Sequence, residues 1–277
     1  MEENKVKRQE KPASERQVFC LSGPTHLTAV DWNNFNHRRS VAASLVQGVY
    51  ILEHDRQQNR QDSQALAPPW WDSFDFQLIR PLVDDVDNSI FGAIYELKPF
   101  TSKCNYSAQN APDYVIAFRG TINKSDTMSR DLKLDIQCVR NRLHESSRYH
   151  LAMQAVQSII DVAAAKGHHR SLQPDGPFTL LCKWVPYLFV NPADPICSGY
   201  IGYFKHRKKM EEIQAGKIER IATLNSLLKS DSEPLHLILS ANLTINLSKS
   251  PDFKRAHGIH QWWDPSFDGQ SELYEYK

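Results

Sequence analysis

Apolar positions along the chain recur with two different periods, and the switches between them outline an alternation of helices and strands. Val41, Leu45, Val49 and Leu52 lie three or four residues apart, so a helix is expected from Arg38 onward, opened by Arg38 or Ser40. The polar stretch Arg56 to Pro69 ends in Pro68-Pro69 and reads as a loop, with the aromatic-rich Trp70 to Phe76 packed beneath it. Ile90 to Leu97 reads as a strand of mixed polarity, and Thr101 to Pro112 as a turn region. Tyr114-Val115-Ile116-Ala117-Phe118 is an unbroken run of β-formers, the pattern of a strand buried on both faces, and it predicts a central parallel strand ended abruptly by Arg119-Gly120-Thr121.

Ser146 to Ala165 reads as an amphipathic helix with Tyr149, Met153, Val156 and Ile160 on one face. A polar, irregular segment from Lys166 to Gly176 follows. A strand is expected at Tyr187 to Val190, a charged helix at His206 to Leu228, and extended structure within Leu235 to Leu247. This order argues an α/β layer architecture. In such sheets reactive groups gather at the carboxyl ends of strands. Three places meet that rule: Arg119 to Thr121, Asn191 to Asp194, and His257 to Trp263.

Composition narrows the classes. Apolar residues make up 41% of the 277, enough for a core, and the formal net charge of +1 gives no global field toward nucleic acid. Residues 1–18 read as a solvated tail and 19–277 as one domain. The tail has no apolar core of a signal peptide, and no run of apolar residues is long enough to span a bilayer. The five cysteines form no C-x-x-C pair. Together these predict a cytoplasmic chain with free thiols, in which peripheral membrane contact remains compatible. His257 and His260 are three apart, but no third ligand is placed by sequence, so neither a metal nor another cofactor is expected.

Several segments, in order, resemble the class 3 lipases. Tyr114-Val-Ile-Ala-Phe-Arg-Gly-Thr121 resembles that family's strand before the oxyanion loop. Asp131-Leu-Lys-Leu-Asp135 resembles the Asp-rich stretch after it, Tyr187-Leu-Phe-Val-Asn-Pro-Ala-Asp-Pro195 the strand that delivers the triad acid, and Ala256-His-Gly-Ile-His-Gln-Trp-Trp263 the histidine segment. The match is to a plant branch of the family that often carries the label GDSL esterase/lipase-like, although the chain contains no Gly-Asp-Ser-Leu. The resemblance implies an α/β-hydrolase-like sheet with flanking helices, a serine hydrolase of acyl esters in lipid metabolism, and an acyl ester or lipid as partner.

The nucleophile is the departure. The resemblance implies a serine elbow of the form G-x-S-x-G after the helix at Ser146 to Ala165, and no such pattern occurs. Lys166 to Gly176 leads straight to Phe178, so the central strand, elbow and helix are expected to be deleted, as in a truncated isoform, leaving an impaired hydrolase. The alternative is a non-catalytic lipid-binding or regulatory pseudoenzyme.

The resemblance gives each remaining residue a role. Thr121 would supply an oxyanion donor, Asp194 would hold a histidine in its tautomer, and His257 or His260 would be the general base, with the pattern favouring His257. Plain structural roles stand beside these. Arg119-Gly120-Thr121 also suits a tight strand-end turn, Asn191-Pro-Ala-Asp-Pro195 is a good turn sequence, and both histidines suit an ordinary loop. His168-His169 reads as loop, and Lys205 to Lys209 as the solvated start of a helix.

Overall fold

The computed structural model of the chain describes residues 23–24, 27, 29–66, 70–99, 110–122, 128–139, 142–165, 185–212 and 240–275. It is α/β, with two small sheets and several helices, and it divides into two compact units, Met1–His169 and Arg170–Lys277.

In the first unit, helix α1 (Phe35–Gln57) starts three residues before the expected point. Asn34 is the reason: its side chain accepts from the Asn36 N–H at 2.9 Å and caps the helix. Val41, Leu45 and Val49 are buried, as their spacing implies. Glu53, on the same helix, is fully buried and accepts from Arg56, from Gln57 and, at 2.7 Å, from the Ile90 N–H. That carboxylate ties α1 to the sheet.

The sheet has the order β1 (Phe76–Val83), β2 (Ile90–Leu97), β3 (Tyr114–Phe118), all antiparallel. β1 was not anticipated, and it contains Pro81. An edge strand tolerates proline where the N–H that proline lacks would have pointed away from the ladder, and β1 has one partner among the described residues.

The expected parallel pairing of Tyr114 to Phe118 is not what the described residues show. β3 pairs antiparallel with β2, stands last in the described sheet and leaves Phe118 40% exposed. The middle position belongs to β2, which is packed from both sides. Tyr95 faces α1, its hydroxyl donating to the Leu45 carbonyl. Ile94 shares a core cluster with Ala155 of helix α3 (Ser147–Ala165), and Leu151, Ala152 and Ile159 of that helix pack against the cluster. The α3 face toward the sheet therefore differs from the one read off the sequence. Tyr149, Met153 and Ile160 are exposed, while the smaller Ala152 and Ala155 let the helix approach the strands. Helix α2 (Met128–Val139) precedes α3.

In the second unit, β4 (Tyr187–Val190) lies where expected and runs parallel to β5 (Ala241–Asn246), with β6 (Gly269–Tyr274) antiparallel on the far side of β5. Helix α4 spans Gly199–Glu212. It starts before His206, and the expected continuation to Leu228 lies outside the described residues, as do 235–239. Phe204 of α4 packs on Val190, Ala241, Leu243 and Tyr274, covering one face of the sheet. On the other face Phe189 meets Trp262, ring centroids 5.6 Å apart. A one-turn helix, α5 (Phe253–His257), and a 3-10 turn, Ile259–Trp262, follow the carboxyl end of β5.

Candidate active site

β4 ends at Asn191, whose side-chain carbonyl accepts from the Ala193 N–H at 2.9 Å and turns the chain back. The turn brings in Asp194, 4% exposed. Its two carboxylate oxygens are divided. Oδ1 accepts from the Ile196 N–H at 2.9 Å, and Oδ2 takes the Cys197 thiol at 3.2 Å and Nδ1 of His257 at 2.9 Å. Burial alone would raise Asp194. The imidazole, the Ile196 N–H and the thiol outweigh it and hold the carboxyl below its ordinary range.

His257 closes α5, a turn capped by Asp252, whose side chain accepts from the Arg255 N–H at 2.9 Å. Its ring stacks on Phe253, interplanar angle 17°. A neutral imidazole whose Nδ1 faces a carboxylate carries its proton there and presents a lone pair at Nε2. The side chain is 52% exposed, and Nε2 has no hydrogen-bond partner among the described residues. His260 does not reach Asp194. It lies in the following 3-10 turn, with its ring against Gly258, where a Cβ would collide with it. Of the two candidates, the structure pairs His257 with the acid.

Cys197 is the partner that sequence reading missed. It looked like an ordinary half-buried thiol. Burial first, and then the Asp194 carboxylate beside it, push its pKa up to about 11, so it donates to the acid and is not itself an activated nucleophile.

Thr121 belongs to the other unit, at the carboxyl end of β3. Its hydroxyl donates to Asp135 at 2.8 Å. The N–H groups on either side are engaged: Gly120 donates to the Tyr50 hydroxyl at 2.7 Å and Ile122 to Asp131 at 3.0 Å. Thr121 N–H, between them, has no acceptor among the described residues. The turn is held from below by a buried charge cluster. Arg119 meets Asp131 at 2.7 Å, and Arg148 reaches Asp131 at 2.7 Å and Asp84 at 2.6 Å. Every member is satisfied, which is the condition for burying charges at tolerable cost.

Lys205 to Lys209 lies along α4. Arg207 is tucked over the rings of Tyr203 and Phe204, and Lys208 pairs with Glu272, so the run is in part a packed helix and only in part a solvated one. His168-His169 and the whole 166–184 segment lie outside the described residues. Among the described residues no cluster of three His, Cys, Asp or Glu side chains suits a metal, and no helix is long and apolar enough to cross a membrane.

The chain is similar to an Arabidopsis thaliana protein described as a GDSL esterase/lipase. The two are 41% identical over 347 residues, covering 95% of this chain and 99% of the relative. That span exceeds the 277 residues of this chain, so the relative carries residues inside the match that have no counterpart here. No protein-family model matches the chain. No solved structure matches it either.

Proposed function

From the premise that the chain belongs to the esterase/lipase family of that Arabidopsis relative, we propose that its site descends from a serine acyl-ester hydrolase of the class 3, α/β-hydrolase type and that this form has lost the nucleophile. The observation that carries the reading is the 2.9 Å contact between His257 Nδ1 and a buried, ionised Asp194, at the end of a strand parallel to its neighbour. That pair is the orienting half of a triad, with Nε2 left to accept a proton from a hydroxyl. The chain order of acid before histidine agrees with the α/β-hydrolase arrangement, and the sequence has no Gly-Asp-Ser-Leu.

Two observations support the loss. No G-x-S-x-G occurs in the chain, and the matched relative is longer inside the aligned span. In the family pattern Thr121 stands at the chain position of one oxyanion donor, while the second, from the residue after the serine, goes with the elbow. Loss of a triad nucleophile lowers kcat by on the order of a million-fold.

The test is turnover of a short p-nitrophenyl acyl ester together with labelling by a fluorophosphonate. We expect turnover near the uncatalysed rate and no stoichiometric serine adduct. One modified serine per chain overturns the reading and identifies the nucleophile.

A second reading, a non-catalytic acyl-binding protein, is favoured by one feature. A cavity of about 460 Å³ beside α2 is lined by Leu132 and Ile136 with Lys133 and the Arg142–Glu145 ion pair, which leaves apolar walls and the Lys133 ammonium to meet a fatty acid. Saturable binding of a fluorescent fatty acid without ester turnover would favour it.

A further inference from the structure

The geometry points to Gln261 as a positioning residue for His257, a side-chain amide that fastens the histidine turn to the carboxyl ends of two parallel strands. The inference rests on the reading of Asp194 and His257 as a functional pair.

Gln261 Oε1 accepts from Asn191 Nδ2 at 2.7 Å and from Asn246 Nδ2 at 2.8 Å. These two asparagines directly follow β4 and end β5, which are neighbours in the sheet. Gln261 Nε2 donates to the Ala256 carbonyl at 2.7 Å and the Gly258 carbonyl at 2.9 Å, with the Arg255 carbonyl at 3.5 Å. Ala256 and Gly258 are the residues on either side of His257. One amide therefore spans the strand ends and the backbone that carries the imidazole.

Its orientation is forced by chemistry. Backbone carbonyls only accept, so the nitrogen must face them, and the oxygen must then face the two asparagine nitrogens. The asparagines are arranged to leave those nitrogens available. Asn191 Oδ1 holds the Ala193 N–H and Asn246 Oδ1 holds the Ser248 N–H, both at 2.9 Å, so each uses its oxygen for its own turn. The spare hydrogen of Asn191 Nδ2 goes to Ser250 Oγ at 2.8 Å.

The consequence falls on the imidazole. α5 is five residues long and makes no sheet contacts that would fix its angle by backbone pairing. Asp194 reaches His257 only if the turn holds its place relative to the strand that delivers Asp194, and Gln261 fixes that distance from the strand side. Asn-x-x-Asp after one strand, Asn at the end of the next and His-x-x-x-Gln in the following turn was present in the sequence as a pattern, but nothing local indicates that the three amides converge.

The test reads the tautomer of His257 by long-range ¹H–¹⁵N spectroscopy of the full chain, which needs no turnover. In the wild type we expect His257 locked with its proton on Nδ1, and in Asp194→Asn we expect that lock lost. Gln261→Met, which removes every bond of the amide, and Gln261→Glu, which keeps the two strand-side bonds but cannot donate to the carbonyls, should both shift His257 toward the Nε2–H form that free histidine prefers, with the far-UV spectrum unchanged. Folded Gln261 variants that keep the wild-type tautomer overturn the role of Gln261 and leave the Asp194–His257 pair standing. A wild-type His257 without the lock overturns the pair and the inference with it. Should a variant fail to fold, the wild type still decides: both Gln261 side-chain amide protons should exchange with solvent far more slowly than those of an exposed glutamine, and equal rates overturn the inference.

Discussion

Replacing Arg148 by methionine is the sharpest test of the charge cluster beneath the Thr121 turn. The side chain is 9% exposed, and its guanidinium serves Asp84, Asp131 and, at 2.9 Å, the Ser89 hydroxyl, while lying 5.6 Å over the Phe91 ring. Methionine keeps the stem and removes the charge. Breaking a buried pair by removing one partner costs ~3–5 kcal/mol. Here Arg130 stays on Asp84 and Arg119 on Asp131, so neither carboxylate is orphaned and the lower end, about 3 kcal/mol at pH 7, is expected.

Part of that loss depends on pH. Burial would raise Asp84, but the Val86 N–H and the guanidiniums of Arg130 and Arg148 outweigh it and hold its pKa at about 2 against an ordinary 3.8. A depressed carboxylate contributes stability that is fully present above its unfolded pKa and is lost as pH falls through the folded one. For Asp84 that contribution is roughly 2.5 kcal/mol at pH 7, of which about half remains at pH 3. Asp131 is depressed as well and adds with the same sign. The gap between wild type and Arg148→Met, measured by urea titration with tryptophan fluorescence, should therefore narrow by roughly 0.5–1 kcal/mol between pH 7 and pH 3. A gap of the same size at both would mean that the arginine acts by packing and not by charge.

Two further outcomes follow from single contacts. Glu53→Ala leaves the Ile90 N–H without its acceptor and detaches α1 from the start of β2; a loss of about 2–3 kcal/mol is expected in the same titration, and a change under 0.5 kcal/mol would refute the tie. Cys197, with its thiol raised from an ordinary 9.0 to about 11, should react with iodoacetamide at pH 8 roughly a hundredfold more slowly in the native chain than in urea, as read by peptide mass spectrometry. Equal rates would show that neither its burial nor the carboxylate governs it.

The legible part of the site was its chemistry. Asp194 and His257 stand at chain positions that residue type and motif could single out, and their side chains meet at 2.9 Å. What remained hidden were the neutral side chains that organise the acid and the histidine. Cys197 and Gln261 carry no motif, and their value comes from which carboxylate or carbonyl faces them. His260, three residues from His257, is chemically the same candidate, and only the path of the turn around Gly258 separates the two.

The sequence by itself determined the alternation of helices and strands, the start of a strand at Tyr187, the burial of Val41, Leu45 and Val49, and the absence of a G-x-S-x-G elbow. These are local properties: a period of hydrophobicity or a pattern of adjacent residues suffices. The tertiary structure decided that β3 pairs antiparallel with β2, that α3 turns its alanines inward, and that an aspartate meets a histidine 63 residues away. An apolar run states that a segment can be buried and not what will cover it. A polar residue states what it can bond and not what will come within reach. Both depend on the packing of segments distant in sequence, which no local pattern encodes.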